Sequence, residues 1–187
     1  MKLVIQIPCY NEESSLPVTL KALPKKIDGI DEIQVLIIDD GSKDRTVEVA
    51  KELGVENFVI MPHNSGLARA FVAGINKALA LDADIIVNTD ADNQYCADDI
   101  ENLVKPIISG EADIVIGSRP VSEIEHFSPL KKLLQKLGSS VMRLISSTDV
   151  EDAPSGFRAF SRNSAIQLNV FDNYTYTLET IIQARAK

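Results

Sequence analysis

Two carboxylates follow a short apolar run near the middle of the chain. The run at residues 85–88 is typical of a buried strand, and it leads into Asp90 and Asp92, which are separated by one residue. Carboxylates this close repel each other and lose hydration at the end of a strand, and a divalent cation removes both costs. Hard oxygen ligands suit Mg²⁺ or Mn²⁺, which share their remaining positions with substrate phosphates. The pattern fits such a metal site, and it equally fits a polar exit loop, because Asp and Asn are common in turns.

Strand-like and helix-like patterns alternate along the chain as far as residue 116. Strands are predicted at residues 3–7, 33–38, 58–61, 85–88 and 113–116, with Pro8 ending the first. Helices are predicted at residues 13–23, 45–53, 67–78 and 98–108. This alternation predicts an α/β fold with a mostly parallel central sheet that is covered by helices on both faces.

Polar residues directly follow each of these predicted strands. They lie at residues 10–12, 39–40, 64, 90–94 and 118–119. In sheets of parallel strands, ligands bind outside the carboxyl ends of the strands, at a switch in strand order. We therefore expect these residues to meet at one edge of the sheet and to form a single site.

Length and composition narrow the class of protein. A chain of 187 residues suits one domain, and a net charge of -8 argues against a nucleic-acid partner. An anionic substrate would therefore need a metal, arginine side chains or helix N-termini. Cys9 and Cys96 are too few for a disulfide scaffold, which indicates free thiols in a reducing compartment. No apolar window is long enough for a membrane span, so we expect a cytoplasmic protein, with peripheral contact at the cytoplasmic membrane face as an option.

The pattern changes after residue 120. Residues 129–145 are predicted to form an amphipathic helix with lysine and arginine among its polar positions. These basic residues are typical of a solvated face, and the alternative is a surface that approaches anionic lipid headgroups. A strand at 157–160 and helices at 162–168 and 176–187 follow. The last helix has no stop signal before Lys187, so we expect the catalytic unit to continue beyond that residue.

Six segments carry a family resemblance. They are IPCYNEE (7–13), VLIIDDGSKDRT (35–46), HNSGLARAFVAGINKA (63–78), NTDADNQ (88–94), IGSRP (116–120) and DAPSGFRAFSR (152–162). Together they resemble the family 2 glycosyltransferases of GT-A fold, and within them the polyprenyl-phosphate sugar synthases of the dolichyl-phosphate mannose synthase type. The resemblance implies one GT-A catalytic domain over residues 1–187, truncated at its C-terminus, built as a Rossmann-like three-layer αβα sandwich.

The resemblance also implies a site for a nucleotide-diphosphate sugar. The residues implied to bind the nucleotide are Pro8, Tyr10, Asn11, Glu12, Asp39, Asp40, Arg69, Asp90 and Ala91, and those implied to bind Mg²⁺ or Mn²⁺ are Asp90, Asp92 and Gln94. A carboxylate at position 39 could accept hydrogen bonds from a base N–H or from ribose hydroxyls. Simpler alternatives are a helix-entry loop at 10–12, a turn with a helix cap at 39–42, and an exposed helix residue at 69.

Three further residues are implied to be catalytic: Asp152, Arg119 and Arg158. In relatives that glycosylate a sugar hydroxyl, the aspartate corresponding to Asp152 removes the proton of the acceptor. A polyprenyl phosphate is already ionised and needs no base, so the two arginines would matter more, because guanidinium pairs with phosphate oxygens. The alternative for Arg158 is an ion pair that holds its own loop in place.

The resemblance implies an inverting transferase that moves a sugar from a donor of GDP-mannose or UDP-hexose type to an acceptor, which we expect to be a polyprenyl phosphate. Three alternatives stay open. The first is transfer to a saccharide hydroxyl with Asp152 as base, and the second is a non-catalytic domain that binds sugar nucleotides. The third is a nucleotidyltransferase, although the segment after the first strand lacks the glycine-rich, basic loop that such enzymes normally carry.

Overall fold

The computed structural model describes residues 1–118, 152–171 and 175–184. The strands are β1 (Lys2–Cys9), β2 (Glu32–Asp39), β3 (Asn57–Ile60), β4 (Ile85–Asn88), β5 (Ile114–Ile116) and β6 (Arg158–Ser161). The helices are α1 (Leu16–Ala22), α2 (Thr46–Glu52), α3 (Leu67–Ala80), α4 (Asp99–Ile108), α5 (Arg162–Gln167) and α6 (Thr177–Gln183).

All six strands belong to one sheet with the order β3-β2-β1-β4-β6-β5. β1 pairs in parallel with β2 and with β4, and β2 pairs in parallel with β3. Only β6 runs in the opposite direction among the described strands, because it pairs antiparallel with both β4 and β5. The prediction of a mostly parallel sheet is therefore confirmed, and the carboxyl ends of five strands meet at one edge, which we call the carboxyl edge.

Alternate residues along each strand pack into two separate cores, one on each face of the sheet. Leu3, Ile5 and Ile7 pack in one core beneath α1, α2 and α4, while Val4 packs in the other beneath α3 and α5. Burial on both faces explains why the central strands are nearly continuous runs of branched apolar residues. The result is the three-layer α/β architecture expected from the sequence.

The prediction that Pro8 ends the first strand is wrong. β1 continues through Pro8 to Cys9, and Pro8 pairs with Ile38 of β2. The Gln6 carbonyl accepts a hydrogen bond from the Thr89 N–H, so the backbone groups of Gln6 face β4. Backbone groups alternate in direction along a strand, and those of Pro8 therefore point the same way. The pairing of β1 with β4 stops at Gln6. Pro8 therefore lies beyond that ladder, and its missing N–H interrupts no pairing.

Most other predicted elements are present with shifted ends. β4 has the predicted bounds, and the last described helix covers Thr177–Gln183 of the predicted 176–187. The predicted helix at 129–145 lies outside the described residues. Local periodicity predicted the elements, whereas their ends depend on tertiary contacts.

The reversed strand β6 determines where its preceding loop lies. Asn88, the last residue of β4, pairs with Arg158, the first residue of β6, and Gly117 donates its N–H to the carbonyl of Phe157 at 2.8 Å. An antiparallel strand begins at the edge where its parallel neighbours end. Residues 152–157 consequently lie at the carboxyl edge, beside the loop that carries Asp90.

Gly41 allows the loop after β2 to approach the loop after β3. Its φ is +75°, a conformation that side-chain-bearing residues avoid, and a Cβ there would lie 2.6 Å from the His63 carbonyl carbon and 2.8 Å from the Asn64 nitrogen. Backbone atoms cannot yield as a flexible side chain can. The contact of these two loops therefore requires glycine.

We expect Gly41→Ala to destabilise the protein by about 3 kcal/mol or more, because the methyl group meets backbone in addition to the cost of positive φ. Urea unfolding measures the loss. Gly54→Ala is the matched control, since Gly54 has a φ of +86° with nothing within 4 Å of the added Cβ. That control should lose only about 1 kcal/mol, the cost of the backbone conformation. Equal losses in the two variants would contradict the close approach.

Candidate functional site at the carboxyl edge

The loops after β1 and β2 are joined by hydrogen bonds in both directions. The Asn11 N–H donates to the Ser42 hydroxyl at 2.9 Å, and the Lys43 N–H donates to Asn11 Oδ1 at 2.8 Å. The Glu12 N–H donates to the Thr46 hydroxyl at 2.8 Å. Asn11 has a φ of 57°, which asparagine tolerates better than most residues. These bonds hold the two loops as one unit above β1 and β2.

Asp44 strengthens the same junction. Its carboxylate accepts from the Glu13 N–H at 3.0 Å and from the backbone N–H and hydroxyl of Thr46. Burial alone would raise the pKa of Asp44, but these hydrogen bonds outweigh it and hold the pKa below its ordinary value. The group is therefore a carboxylate at neutral pH, which keeps its acceptor role.

Asp39 and Asp40 are both buried but have different surroundings. Asp39 is 3% exposed and accepts from the Ser42 N–H at 3.2 Å. Both oxygens of Asp40 accept backbone N–H groups ahead of α3, from Ser65 at 2.7 Å and from Gly66 at 2.9 Å. Asp40 thus satisfies donors at the start of α3, as a capping residue does. This position does not fit the predicted nucleotide contact of Asp40, whereas Asp39 stays a candidate.

The other predicted nucleotide-binding residues lie along the same edge. Pro8 is in β1, Tyr10 is 43% exposed, and Arg69 is exposed in the first turn of α3. The carboxylate of Glu12 accepts from the Ser15 hydroxyl at the start of α1. Tyr10 is therefore accessible at this edge, whereas the Glu12 carboxylate is engaged at the start of α1.

The Asp90 loop leaves β4 at the centre of this edge. Asp90 is half-buried, while Asp92 and Gln94 are exposed, and Asp92 Oδ1 accepts the Gln94 N–H at 3.1 Å. Ala91 is buried, and its carbonyl accepts from the Thr19 hydroxyl of α1 at 2.7 Å. The loop is therefore anchored at Ala91 and presents carboxylates on either side of it.

The half-buried Asp90 and the exposed Asp92 supply carboxylates that form a partial ligand set for a hard cation. Among the described residues, no three His, Cys, Asp or Glu side chains lie close enough together to hold a metal ion by themselves. Mg²⁺ and similar ions are usually held by one or two carboxylates together with water and substrate phosphates. Asp90 and Asp92 fit that arrangement, with phosphate oxygens supplying further ligands.

Gly156 connects the 152–156 loop to the Asp90 loop. Its N–H donates to the Tyr95 hydroxyl at 3.1 Å, and its carbonyl accepts from Asn88 Nδ2 at 2.9 Å and from the Tyr176 hydroxyl at 3.3 Å. A Cβ on Gly156 would lie 3.3 Å from Asp90 Oδ1. The Gly156 peptide is therefore enclosed by Tyr95, β4 and Tyr176, and it directly faces the Asp90 carboxylate.

Arg158 is fully buried, and its guanidinium faces protein oxygens. It donates to the carbonyls of Ser155 at 2.7 Å and Ala153 at 2.8 Å, and it also donates to the Thr177 carbonyl and the Thr180 hydroxyl of α6. Burial lowers the pKa of Arg158 to about 10, so it stays charged at neutral pH. This position does not fit the predicted phosphate contact; instead Arg158 joins the 152–156 loop to α6. Three of its hydrogen-bond partners are carbonyls, and the charge of Asp152 also acts on it, so Arg158 holds its own loop as the alternative for this residue expected.

Tyr176 completes the packing above β4. Its ring stacks on Phe71 of α3 with centroids 3.7 Å apart, and its hydroxyl accepts from Asn88 Nδ2 at 2.9 Å. Burial raises the pKa of Tyr176, and the Asp90 charge acts in the same direction. The hydroxyl therefore stays protonated and can donate to the Gly156 carbonyl.

Asp152 is only 2% exposed, at the start of the 152–156 loop. Its carbonyl accepts from the Ser155 N–H at 3.1 Å, which closes a turn. Its charge contributes to the electrostatic surroundings of Arg158. Arg119 lies outside the described residues. The structure therefore brings Asp39, Asp90 and Asp152 to one edge.

Sequence reasoning missed Asn88, Tyr95 and Tyr176. A signal existed for Asn88, because strand alternation places it on the same buried face as Ile86, where a polar side chain needs a partner. The tyrosines gave no comparable signal, because their partner Gly156 is distant in sequence. Arg158 shares its strand face with the buried Phe160, and this alternation could have indicated a buried cation.

Comparison with known proteins decides the family. Residues 4–168 match the model of glycosyl transferase family 2. This chain belongs to that family.

The chain is also similar to two curated proteins and, in its fold, to one solved enzyme. The chain is 35% identical to UDP-N-acetylglucosamine--dolichyl-phosphate N-acetylglucosaminyltransferase of Methanococcus voltae, over 84% of this chain and 68% of that protein. It is 31% identical to undecaprenyl-phosphate mannosyltransferase of Micrococcus luteus, over 94% and 74% respectively. Each relative thus extends beyond the region that this chain matches.

The solved enzyme is glucosyl-3-phosphoglycerate synthase of Mycobacterium tuberculosis. One of its structures aligns with a TM-score of 0.63 at 23% identity, over 87% of this chain and 58% of that chain. Its complex with Mn²⁺, UDP and glucosyl-3-phosphoglycerate aligns with a TM-score of 0.70 at 21% identity, over 99% and 68% respectively. At these identities the likeness confirms the GT-A fold. Within the described parts of this family member, no helix is long and apolar enough to cross a membrane.

We expect Arg158→Lys to lower the free energy of unfolding by about 2–4 kcal/mol, because an ammonium cannot reach all the oxygens that the planar guanidinium serves. Urea unfolding measures the loss. Arg45→Lys is the control, since Arg45 pairs with Glu52 on the exposed surface and should change stability little. A stable Arg158→Lys variant with a raised acceptor KM would instead support the phosphate contact.

Proposed function

We propose that this chain is the catalytic part of an inverting glycosyltransferase that moves a sugar from a nucleotide-diphosphate sugar to a polyprenyl phosphate. The observation that carries the proposal is that β1, β2, β4 and the reversed β6 bring Asp39, Asp90 and the 152–156 loop to one edge. The acceptor class is supported by the curated relatives, whose names specify dolichyl and undecaprenyl phosphates.

The nucleotide of a GDP-mannose or UDP-hexose type donor would lie above β1 and β2. Asp39 would accept from the base or ribose, and the exposed ring of Tyr10 would lie against the base. The hydrogen bonds between the two loops keep these groups in place before the donor arrives, which reduces the ordering cost of binding.

The diphosphate would lie above β4, beside Asp90 and Asp92. A bound Mg²⁺ or Mn²⁺ would neutralise charge on the two phosphates and on the departing nucleoside diphosphate. The chain itself supplies the oxygen ligands and holds them through the buried Ala91, whose carbonyl is bonded to α1.

The reaction is a single displacement. A phosphate oxygen of the acceptor attacks the anomeric carbon opposite the diphosphate, the bond from that carbon to the diphosphate oxygen breaks, and the nucleoside diphosphate leaves with the electron pair. The configuration inverts, and no covalent intermediate with the enzyme forms. An ionised acceptor has no proton to lose at the attacking oxygen, so the chain need not provide a general base.

A phosphate acceptor needs a cation beside it rather than a base. Arg158 is engaged by the protein, so Arg119 remains the proposed cation for the acceptor phosphate. A polyprenyl chain resides in a membrane, so the enzyme would work at the membrane surface by peripheral contact on the cytoplasmic side.

The donor site is tested through Asp92. We expect Asp92→Ala to abolish the Mn²⁺-dependent gain in UDP or GDP affinity, because one of two carboxylate ligands is lost. Calorimetry with each nucleotide, with and without Mn²⁺, measures the gain. Asp98→Ala is the control, since Asp98 is also exposed on this segment and makes no side-chain cap to α4. An unchanged Mn²⁺ effect in Asp92→Ala would reject the metal assignment.

The acceptor class is tested through Asp152. With a polyprenyl phosphate acceptor, Asp152→Asn should keep nucleotide affinity and most of its transfer rate, because no base is needed. With a hydroxyl acceptor, loss of the base should lower kcat by about 10²–10⁴. Transfer assays with both acceptor classes separate the two. Transfer only to saccharide hydroxyls, together with an inactive Asp152→Asn, would overturn the proposed acceptor.

Nucleotide binding without any transfer would indicate a non-catalytic domain.

A further inference from the structure

The space beside the Gly156 Cα is narrow and has two polar walls. A Cβ placed there would lie 3.1 Å from the Tyr176 hydroxyl and 3.3 Å from Asp90 Oδ1. Both distances are shorter than ordinary van der Waals contacts. Even one methyl group would therefore have to displace the Tyr176 hydroxyl, the Asp90 carboxylate or both.

The Tyr176 wall has little freedom to move. The ring is fully buried and stacked on Phe71, and its hydroxyl is within 2.9 Å of Asn88 Nδ2. The Asp90 wall is half-buried and belongs to a surface loop. An added methyl group should therefore push mainly on Asp90, because the packed ring resists displacement.

The Gly156 peptide is itself held from three directions. Tyr95 accepts its N–H, while Asn88 and Tyr176 donate to its carbonyl. Tyr95 also stacks on Phe157 with centroids 4.9 Å apart, so its hydroxyl has a defined position. Asn88 is the last residue of β4 and Asp90 follows two residues later, so the amide that holds Gly156 belongs to the strand that leads into the carboxylate.

We propose that Gly156 is a positioning residue for Asp90, that Tyr95 and Asn88 hold the Gly156 peptide in place, and that the Tyr176 hydroxyl limits the space beside the Gly156 Cα. The inference rests on the proposed function, because it assigns Asp90 to the metal. Gly156 leaves room for the carboxylate orientation that the metal and diphosphate require. Tyr95 and Asn88 keep the glycine peptide at a fixed distance from Asp90, which preserves that room. Groups that orient metal ligands typically change metal affinity about 10–100-fold when altered.

The first test is Gly156→Ala in the full chain, with Mn²⁺ titrated calorimetrically in an excess of UDP or GDP. We expect the apparent Kd for Mn²⁺ to rise about 10-fold. The metal-free affinity for the same nucleotide should not change, because the base and ribose contacts lie above β1 and β2. An equal loss of nucleotide affinity with and without Mn²⁺, or an unchanged Kd for Mn²⁺, would overturn the proposal.

The second test is rescue by a double variant. Tyr176→Phe removes the hydroxyl that lies 3.1 Å from the added Cβ, so the methyl group of Gly156→Ala can shift away from Asp90. The double variant should therefore bind Mn²⁺ more tightly than Gly156→Ala alone. If the two substitutions acted independently, their losses in Mn²⁺ affinity would add. A double variant that binds Mn²⁺ more weakly than Gly156→Ala alone would therefore reject the positioning role.

Controls separate this inference from the proposed function and from misfolding. Gly110→Ala adds a methyl group in open space after α4, so it should change the melting temperature without changing the Kd for Mn²⁺. If Gly156→Ala does not fold, Tyr95→Phe removes the acceptor of the Gly156 N–H without adding volume and should raise the same Kd. An unchanged Kd in that variant would then count against the proposal. A parent protein without Mn²⁺-dependent nucleotide binding would refute the proposed metal site itself, and this inference with it.

Discussion

A buried chain of side-chain amides holds the centre of the carboxyl edge together. Asn88 donates to the Gly156 carbonyl, so its oxygen faces β1 and accepts from Gln6 Nε2 at 2.8 Å. The orientation of Gln6 follows, and its Oε1 faces Gly74 without a hydrogen-bond partner among the described residues. An unpaired buried oxygen costs about 1–3 kcal/mol. Reversing either amide would be worse. A reversed Asn88 would place its oxygen against the Gly156 carbonyl, and a reversed Gln6 would place its oxygen against Asn88 Oδ1.

The two halves of the site depend on this chain in different ways. The loops above β1 and β2 are joined by their own hydrogen bonds, through residues such as Asn11 and Ser42, and need no help from β6. The 152–156 loop is held by side chains from distant segments, since Asn88 joins it to β4, Arg158 joins it to α6, and Tyr95 accepts its Gly156 N–H. The half proposed for the nucleotide is thus local in construction, whereas the half proposed for the acceptor depends on contacts between distant segments. A substitution in the core beneath β4 would accordingly affect the second half first.

The sequence allowed much of this architecture to be predicted, because apolar periodicity and turn residues are local signals. The bounds of β4 and the parallel direction of five strands followed from such signals. The direction of β6 did not, since a four-residue strand carries no information about its neighbours. The carbonyl partners of Arg158 could not be predicted for a chemical reason, because one guanidinium suits phosphate and carbonyl oxygens alike. The prediction that Pro8 ends β1 failed because proline is excluded from a strand only where its missing N–H would pair with a neighbouring strand, and β4 no longer pairs with β1 at that position.

The strand order also constrains how the chain can fold during synthesis. β5 is made before β6, yet among the described residues β5 pairs with β6 alone, and β6 inserts between β5 and β4. Until Arg158–Ser161 emerges from the ribosome, β5 has no place in the sheet and one edge of β4 stays open. Open strand edges invite pairing with other chains. If synthesis stops after β5 and before β6, the open edge of β4 can pair with another chain and start aggregation. Insertion of β6 covers that edge.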